Sequence, residues 1–191
     1  MQTYTTKTFS LGTLDGLSQR QIDEHLKLYA GYVKNVNAIC DRVKILKADS
    51  ATNALELSEL TRRFGFEFNG MRLHEYYFSQ FEKNMVAGEG KVKEKLVVDF
   101  GSYDAWLAEF KSVGLMRGIG WVLLVQDEVT NNLHTIWVSD HEIGNLAGQK
   151  VLLAMDMWEH AFLLDYIPSQ KKDYIEAFFK NLNWNIVESR G

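Results

Sequence analysis

The segment 154-AMDMWEHAFLLDY-166 constrains this chain more than any other. It sets Asp156, Glu159 and His160 beside Trp158, with apolar residues on both sides. Taking a charged group out of water is costly unless something pairs with it. Any fold of this chain must therefore bring partners to those side chains. A metal ion is one candidate partner, and its other ligands must then come from elsewhere in the chain. The 191 residues suit one compact unit or two small domains sharing a core. Hydrophobic residues make up 46% and aromatic residues 13%, enough to bury a substantial core.

Charge and composition narrow the classes further. The formal net charge is −4, which gives no general electrostatic reason to bind nucleic acid. The basic runs 42-RVKILK-47 and 170-QKK-172 read as solvated helix faces. Cys40 is the only cysteine, so no internal disulfide is possible and a cytoplasmic location is expected. The start, MQTYTTKTFSLG, lacks a continuous apolar stretch and does not read as a signal peptide. The longest apolar run, 121-WVLLV-125, is far too short to span a bilayer, so no membrane partner is expected.

Residues 1–17 read as an extended arm. Ser18 and Gln21 have capping-box spacing, and Leu17 can staple onto Ile22. Apolar residues at 22, 26, 29, 33 and 36 then predict a helix to about Leu46. A shorter helix is expected near 52–64, stopping at Gly65, and a third over 67–86 with 71, 74, 78 and 81 on one face. Gly88-Glu89-Gly90 should break it, with 91–95 as a charged linker. The second half predicts a helix over 102–114, with Asp104 in its first turn. Strands follow at 119–126 and 133–139, joined by the turn-rich 127-DEVTNN-132, and a third at 150–156. Helices are expected over 158–165, from Pro168, and near 182–189. The fold class is α+β: an N-terminal helical hairpin domain, residues 1–90, and a C-terminal α/β domain with a small three-stranded antiparallel sheet, residues 91–191. The boundary should fall near 88–93.

Five histidines stand at 25, 74, 134, 141 and 160. His25 shares a helix face with Ile22, Leu26, Tyr29 and Tyr32, and His74 sits among Leu73, Tyr76, Tyr77 and Phe78. Singly, each reads as a satisfied core residue. Together with Asp156 at a strand end, His25, His74 and His160 form a set that suits iron, manganese or zinc. Spacing alone leaves both readings open and selects neither metal nor reaction.

The run 156-DMWEHAFLLDY-166 strongly resembles the Asp-x-Trp-Glu-His-Ala-Tyr motif of iron/manganese superoxide dismutases. Segments 32-YVKNVN-37, 100-FGSYDAWLAEF-110, 118-GIGWVLLV-125 and 173-DYIEAFFKNLNW-184 resemble that family in the same order. The resemblance implies dismutation of superoxide by one iron or manganese ion, redox-cycled between M(III) and M(II). The implied ligands are His25, His74, Asp156 and His160, two from each half. Tyr32 resembles the family's gateway tyrosine, with Trp121 and Trp158 walling the pocket. Glu159 resembles the residue that crosses a homodimer interface to the partner's last histidine ligand. Lys27, Lys171 and Lys172 are candidates for a basic funnel.

Departures from the family pattern are informative. The stretch 25-HLKLYAGY-32 is one residue shorter than the family's and lacks its second histidine, so the match needs a gap or a helix irregularity. That histidine pairs across the family's dimer with a tyrosine whose position here is Leu163, so an apolar contact is expected instead. The family's outer-sphere glutamine or histidine has no obvious counterpart in 69-NGMRLHE-75; in 139-SDHEIG-144, His141 is the candidate. His134 reads as structural or exposed. The competing functional reading is a non-catalytic metal-binding relative of the same fold. Another mononuclear iron enzyme or a structural zinc site fits the residues less well.

Overall fold

The computed structural model describes residues 3–82 and 90–191. The N-terminal arm has no regular structure through residue 13. It is tied down by a reciprocal pair: Tyr4 N–H donates to Asn37 Oδ1 at 2.9 Å and Asn37 Nδ2 to Tyr4 O at 2.8 Å.

Helix α1 spans Gln19–Leu46. Ser18 Oγ caps it by accepting from Gln21 N at 3.1 Å, and Leu17 and Ile22 are both buried. The capping box does not close, because the Gln21 side chain turns inward. Its Nε2 donates to His160 O at 2.6 Å and its Oε1 accepts from Leu164 N at 3.0 Å. A wholly buried amide satisfies distant backbone groups better than its own helix start, which water can reach.

Helix α2 spans Ala54–Ser79 as one element where two were expected. Gly65 does not break it. A mid-helix glycine costs only about 1 kcal/mol, and the aromatic packing around it, Phe64 on Phe68 at 5.5 Å, outweighs that. The predicted face holds, with Met71, His74, Phe78 and Phe81 all buried. The helix stops before residue 86 because Gln80 is recruited by the sheet, pairing its amide with both N–H and C=O of Ala154. The expected breaker residues 88 and 89, and most of the expected boundary, lie outside the described residues.

The expected charged linker is instead the start of helix α3, Lys91–Phe100, which follows Gly90 at φ 78°. Val92 and Leu96, four apart, bury one face and leave the charges on the other. Helix α4, Tyr103–Gly114, is capped by Ser102 Oγ accepting from Ala105 N at 3.0 Å, with Asp104 in its first turn.

Strands β1 (Gly120–Asp127), β2 (Leu133–Ser139) and β3 (Gln149–Asp156) form an antiparallel sheet in the order β2-β1-β3. The central place of β1 explains its continuously apolar 121–125, all buried. Register sets Trp121 opposite both Val138 and Asp156, so Trp121 and Asp156 project together from one end of the sheet.

The expected helix over 158–165 reduces to one 3-10 turn, Glu159–Ala161. Trp158 is held extended (φ −68°, ψ 147°), its N–H donating to Asp156 Oδ1 at 2.8 Å, while Gln21 takes up His160 O and Leu164 N. Those bonds compete directly with a helical ladder. A further 3-10 turn, Pro168–Gln170, leads into α5, Lys171–Asn181, and α6 covers Trp184–Ser189. Among the described residues, no helix is long and apolar enough to cross a membrane.

Candidate metal centre

Two long helices and the end of the sheet converge on four side chains. His25 comes from α1, His74 from α2, Asp156 from the end of β3, and His160 from the 3-10 turn just after it. One ligand atom from each lies within 4.8 Å of all the others. The Nε2 atoms of His25, His160 and His74 stand 3.1, 3.2 and 3.6 Å from a single oxygen, Asp156 Oδ2. His25, His74 and Asp156 are fully buried, and the His160 side chain is 19% exposed.

Hydrogen bonding alone does not account for this cluster. His74 Nδ1 is 2.6 Å from Gly70 O, a carbonyl that only accepts. The proton of neutral His74 is therefore on Nδ1, and Nε2 presents a lone pair to a carboxylate oxygen. That Nε2 has no hydrogen-bond partner although it is buried. A lone pair facing an anion in a dry interior calls for a cation between them. Ligand atoms roughly 2.1 Å from a common ion stand roughly 3.0 Å apart at a right angle and roughly 3.6 Å apart at 120°. The spacings from Oδ2 fall in that range, and three imidazoles with one carboxylate are a donor set for iron, manganese or zinc.

Electrostatics agree with a ligand role. Burial lowers His25, against the pull of Asp156, and lowers His74 well below the ordinary range, so both stay neutral and able to ligate. Burial by itself would raise Asp156. The imidazoles of His160 and His25 outweigh it and hold the carboxyl well below the usual carboxylate range.

A second ring of side chains surrounds the cluster. Tyr32 lies seven residues, about two turns, after His25 and shares its face of an unbroken α1, so no helix irregularity is needed. Its ring is 5.1 Å from that of His74, and its hydroxyl is 2.7 Å from His141 Nε2. Trp121 Nε1–H donates to His141 Nδ1 at 2.9 Å. Because the indole can only donate, neutral His141 carries its proton on Nε2 and donates it to Tyr32. His141 is fully buried and stacks on Trp158 at 4.9 Å, while Trp158 in turn stacks on His160 at 5.6 Å. Burial holds His141 down to about 4 and pushes Tyr32 up, so both are neutral near pH 7.

The other expected residues make contacts of their own. His134 is exposed on β2. Lys27 pairs with Glu24 at 2.7 Å, Lys171 donates to Met116 O at 2.8 Å, and Lys172 is exposed. The cation on the Tyr32 side is Arg63, over the Phe66 ring at 4.3 Å, and Phe66 edges His141 at 4.6 Å. Gly70 is a further functional position that sequence reasoning passed over. Besides accepting the hydrogen bond of His74 Nδ1–H through its carbonyl, it lets the Tyr32 ring approach: a Cβ there would lie 2.6 Å from Tyr32 Cδ1. A glycine four residues before a candidate ligand, inside a helical pattern, was the available signal. Tyr174 was also missed; its hydroxyl donates to Asp156 O at 2.7 Å.

Comparison with known proteins agrees with this architecture. Residues 88–190 match the C-terminal domain of iron/manganese superoxide dismutases. A superoxide dismutase [Fe] of Cupriavidus metallidurans is 36% identical, over 93% of this chain and 89% of its own. One from Aquifex pyrophilus is 33% identical, over 93% and 85%. A superoxide dismutase [Mn] 2 of Haloferax volcanii is 41% identical, over 53% and 50%. A sheet of three antiparallel strands behind a helical pair, with three histidines and one aspartate between them, defines a protein with a mononuclear metal centre. The chain belongs to the iron/manganese superoxide dismutase family.

Proposed function

We propose that this chain catalyses dismutation of superoxide to dioxygen and hydrogen peroxide. The observation that carries the reading is the convergence of four buried ligand atoms within 4.8 Å, in a chain of this family. His25, His74, Asp156 and His160 would hold one iron or manganese ion, which supplies the one-electron redox chemistry between its M(III) and M(II) states.

The chain's own contribution is orientation and protons. Gly70 O fixes the tautomer of His74, and Trp158 N and Tyr174 Oη fix the Asp156 carboxylate and its backbone. The chain of donors runs from Trp121 Nε1 to His141 and from His141 Nε2 to Tyr32. It leaves the Tyr32 hydroxyl proton free to be offered toward the cluster, as a catalytic donor should. Trp121, Trp158 and Phe66 restrict the space to small species and keep bulk water out. Arg63 gives superoxide, a small anion, a cation on the approach side, tempered by its ion pair with Glu67 at 2.7 Å.

The working unit in this reading is a cytoplasmic homodimer, with no nucleic-acid or membrane partner. Glu159 is exposed and its side chain has no hydrogen-bond or ion-pair partner among the described residues, which suits a bond to His160 of a second copy. Leu163 and Leu164 are 41% and 46% exposed, and Leu28, two turns beyond Gln21 on α1, is 44% exposed. These leucines supply the apolar contact expected in place of the family's paired histidine and tyrosine. The division into residues 1–90 and 91–191 belongs to the same proposal, each half giving two ligands. Two experiments test it. Superoxide decay should be accelerated by metal-loaded protein and not by an Asp156→Ala variant. Sedimentation should give a dimer that Glu159→Ala weakens; a monomer at all concentrations would contradict the dimer.

A further inference from the structure

Away from the metal centre, a cavity of about 280 Å³ is lined by Lys7, Arg72, Glu75, Tyr76, Ser79 and Arg190. Three cationic side chains meet one carboxylate there. That carboxylate is fully engaged. Glu75 Oε2 lies 2.9 Å from Lys7 Nζ and 2.6 Å from Arg72 Nη1, and Oε1 accepts from Tyr29 Oη at 3.2 Å. Arg190 has no carboxylate partner among the described residues. Its guanidinium donates only to neutral oxygens: Leu152 O at 2.8 Å, Tyr76 O at 3.0 Å and Ser79 Oγ at 2.7 Å. The Tyr76 ring lies beside it at 4.8 Å. Burial pulls Arg190 down to about 10, the sign of a cation short of both water and counter-charge.

We propose that this cavity binds a phosphate group. Its walls carry two more positive charges than negative, which a phosphate dianion neutralises and a single carboxylate does not. A guanidinium has five N–H donors in a rigid fork that fits phosphate oxygens. Arg72 uses one of them and Arg190 three within the protein, so both keep donors without a partner among the described residues. Lys7, with its side chain 56% exposed, stands at the rim and supplies a mobile third charge. The volume admits a phosphate carrying a small organic group, so free phosphate and a phosphorylated metabolite share this chemistry.

Calorimetric titration of the metal-loaded protein with inorganic phosphate, at fixed ionic strength in chloride, tests the site. Saturable binding of one phosphate per subunit is expected. Lys7→Gln and Arg190→Gln should each weaken it by roughly tenfold or more, and Tyr32→Phe should leave it unchanged. Arg190 also ties α6 to α2 and β3, so Lys7→Gln keeps the test independent of folding. A second titration with glucose 6-phosphate separates the sources: tighter binding assigns the site to phosphorylated metabolites, equal binding to phosphate itself. Absence of saturable binding, or binding that neither variant weakens, would overturn the proposal.

Discussion

His141 shows how much one side chain can fix. Its Nδ1 accepts from Trp121, its Nε2 serves Tyr32, and its ring stacks on Trp158. Removing it leaves a buried indole N–H without its acceptor and Tyr32 without its donor. His141→Ala should therefore cost about 1–3 kcal/mol of stability in thermal melts. Turnover should fall by at least about tenfold while bound metal, measured by elemental analysis, stays near the wild-type level. A variant that keeps full activity would remove His141 from the proton path. His141 was singled out in the sequence by the family resemblance of 139–144, which marks that loop as a source of the outer-sphere residue. Gly70 was not, because a glycine shows its purpose only when the neighbouring ring is in place. Nor was the inward turn of Gln21, whose spacing from Ser18 matched a local cap equally well.

At the scale of elements, the strong periodicities were readable and the interruptions were not. Helix α1 and all three strands follow their sequence patterns, since each buries a long, regular apolar face. Gly65 misled because an isolated glycine weakens a helix by less than tertiary packing restores. Segment 158–165 misled in the other direction: helical propensity yielded to backbone bonds from Asp156 and Gln21. The close approach of α1 to α2 at Gly70 gives a direct test. In Gly70→Ala the new Cβ meets the Tyr32 ring at 2.6 Å, so the ring must move and its hydroxyl must leave His141. Activity should drop by about tenfold or more, since displacements near 1 Å can cost up to about a hundredfold. Metal content should change little, and Gly70→Ala activity equal to wild type would contradict the packing described.

Across the whole molecule, the cluster ties α1 and α2 to the end of β3 and the turn after it, so its protonation state bears on global stability. His25 and His74 have folded-state values below their ordinary 6.5. Below about that pH the unfolded chain takes up protons that the folded chain refuses. Stability is then fully present above pH 6.5 and declines as pH falls toward the lowered folded values. The slope is up to about 1.4 kcal/mol per pH unit for each histidine. His141, held down to about 4, extends the same window. Calorimetry of the metal-free protein should show a Tm that falls steadily from about pH 6.5 to about pH 5. A flat Tm over that range would mean that these imidazoles are not held neutral.

The most direct test of the central claim is superoxide dismutase activity measured on separately iron-loaded and manganese-loaded protein, with bound metal quantified in each sample. The account predicts activity that scales with occupancy, approaching one ion per subunit, in at least one of the two forms. Full occupancy without activity in both forms would contradict it and mark the chain as a metal-binding relative that no longer turns over.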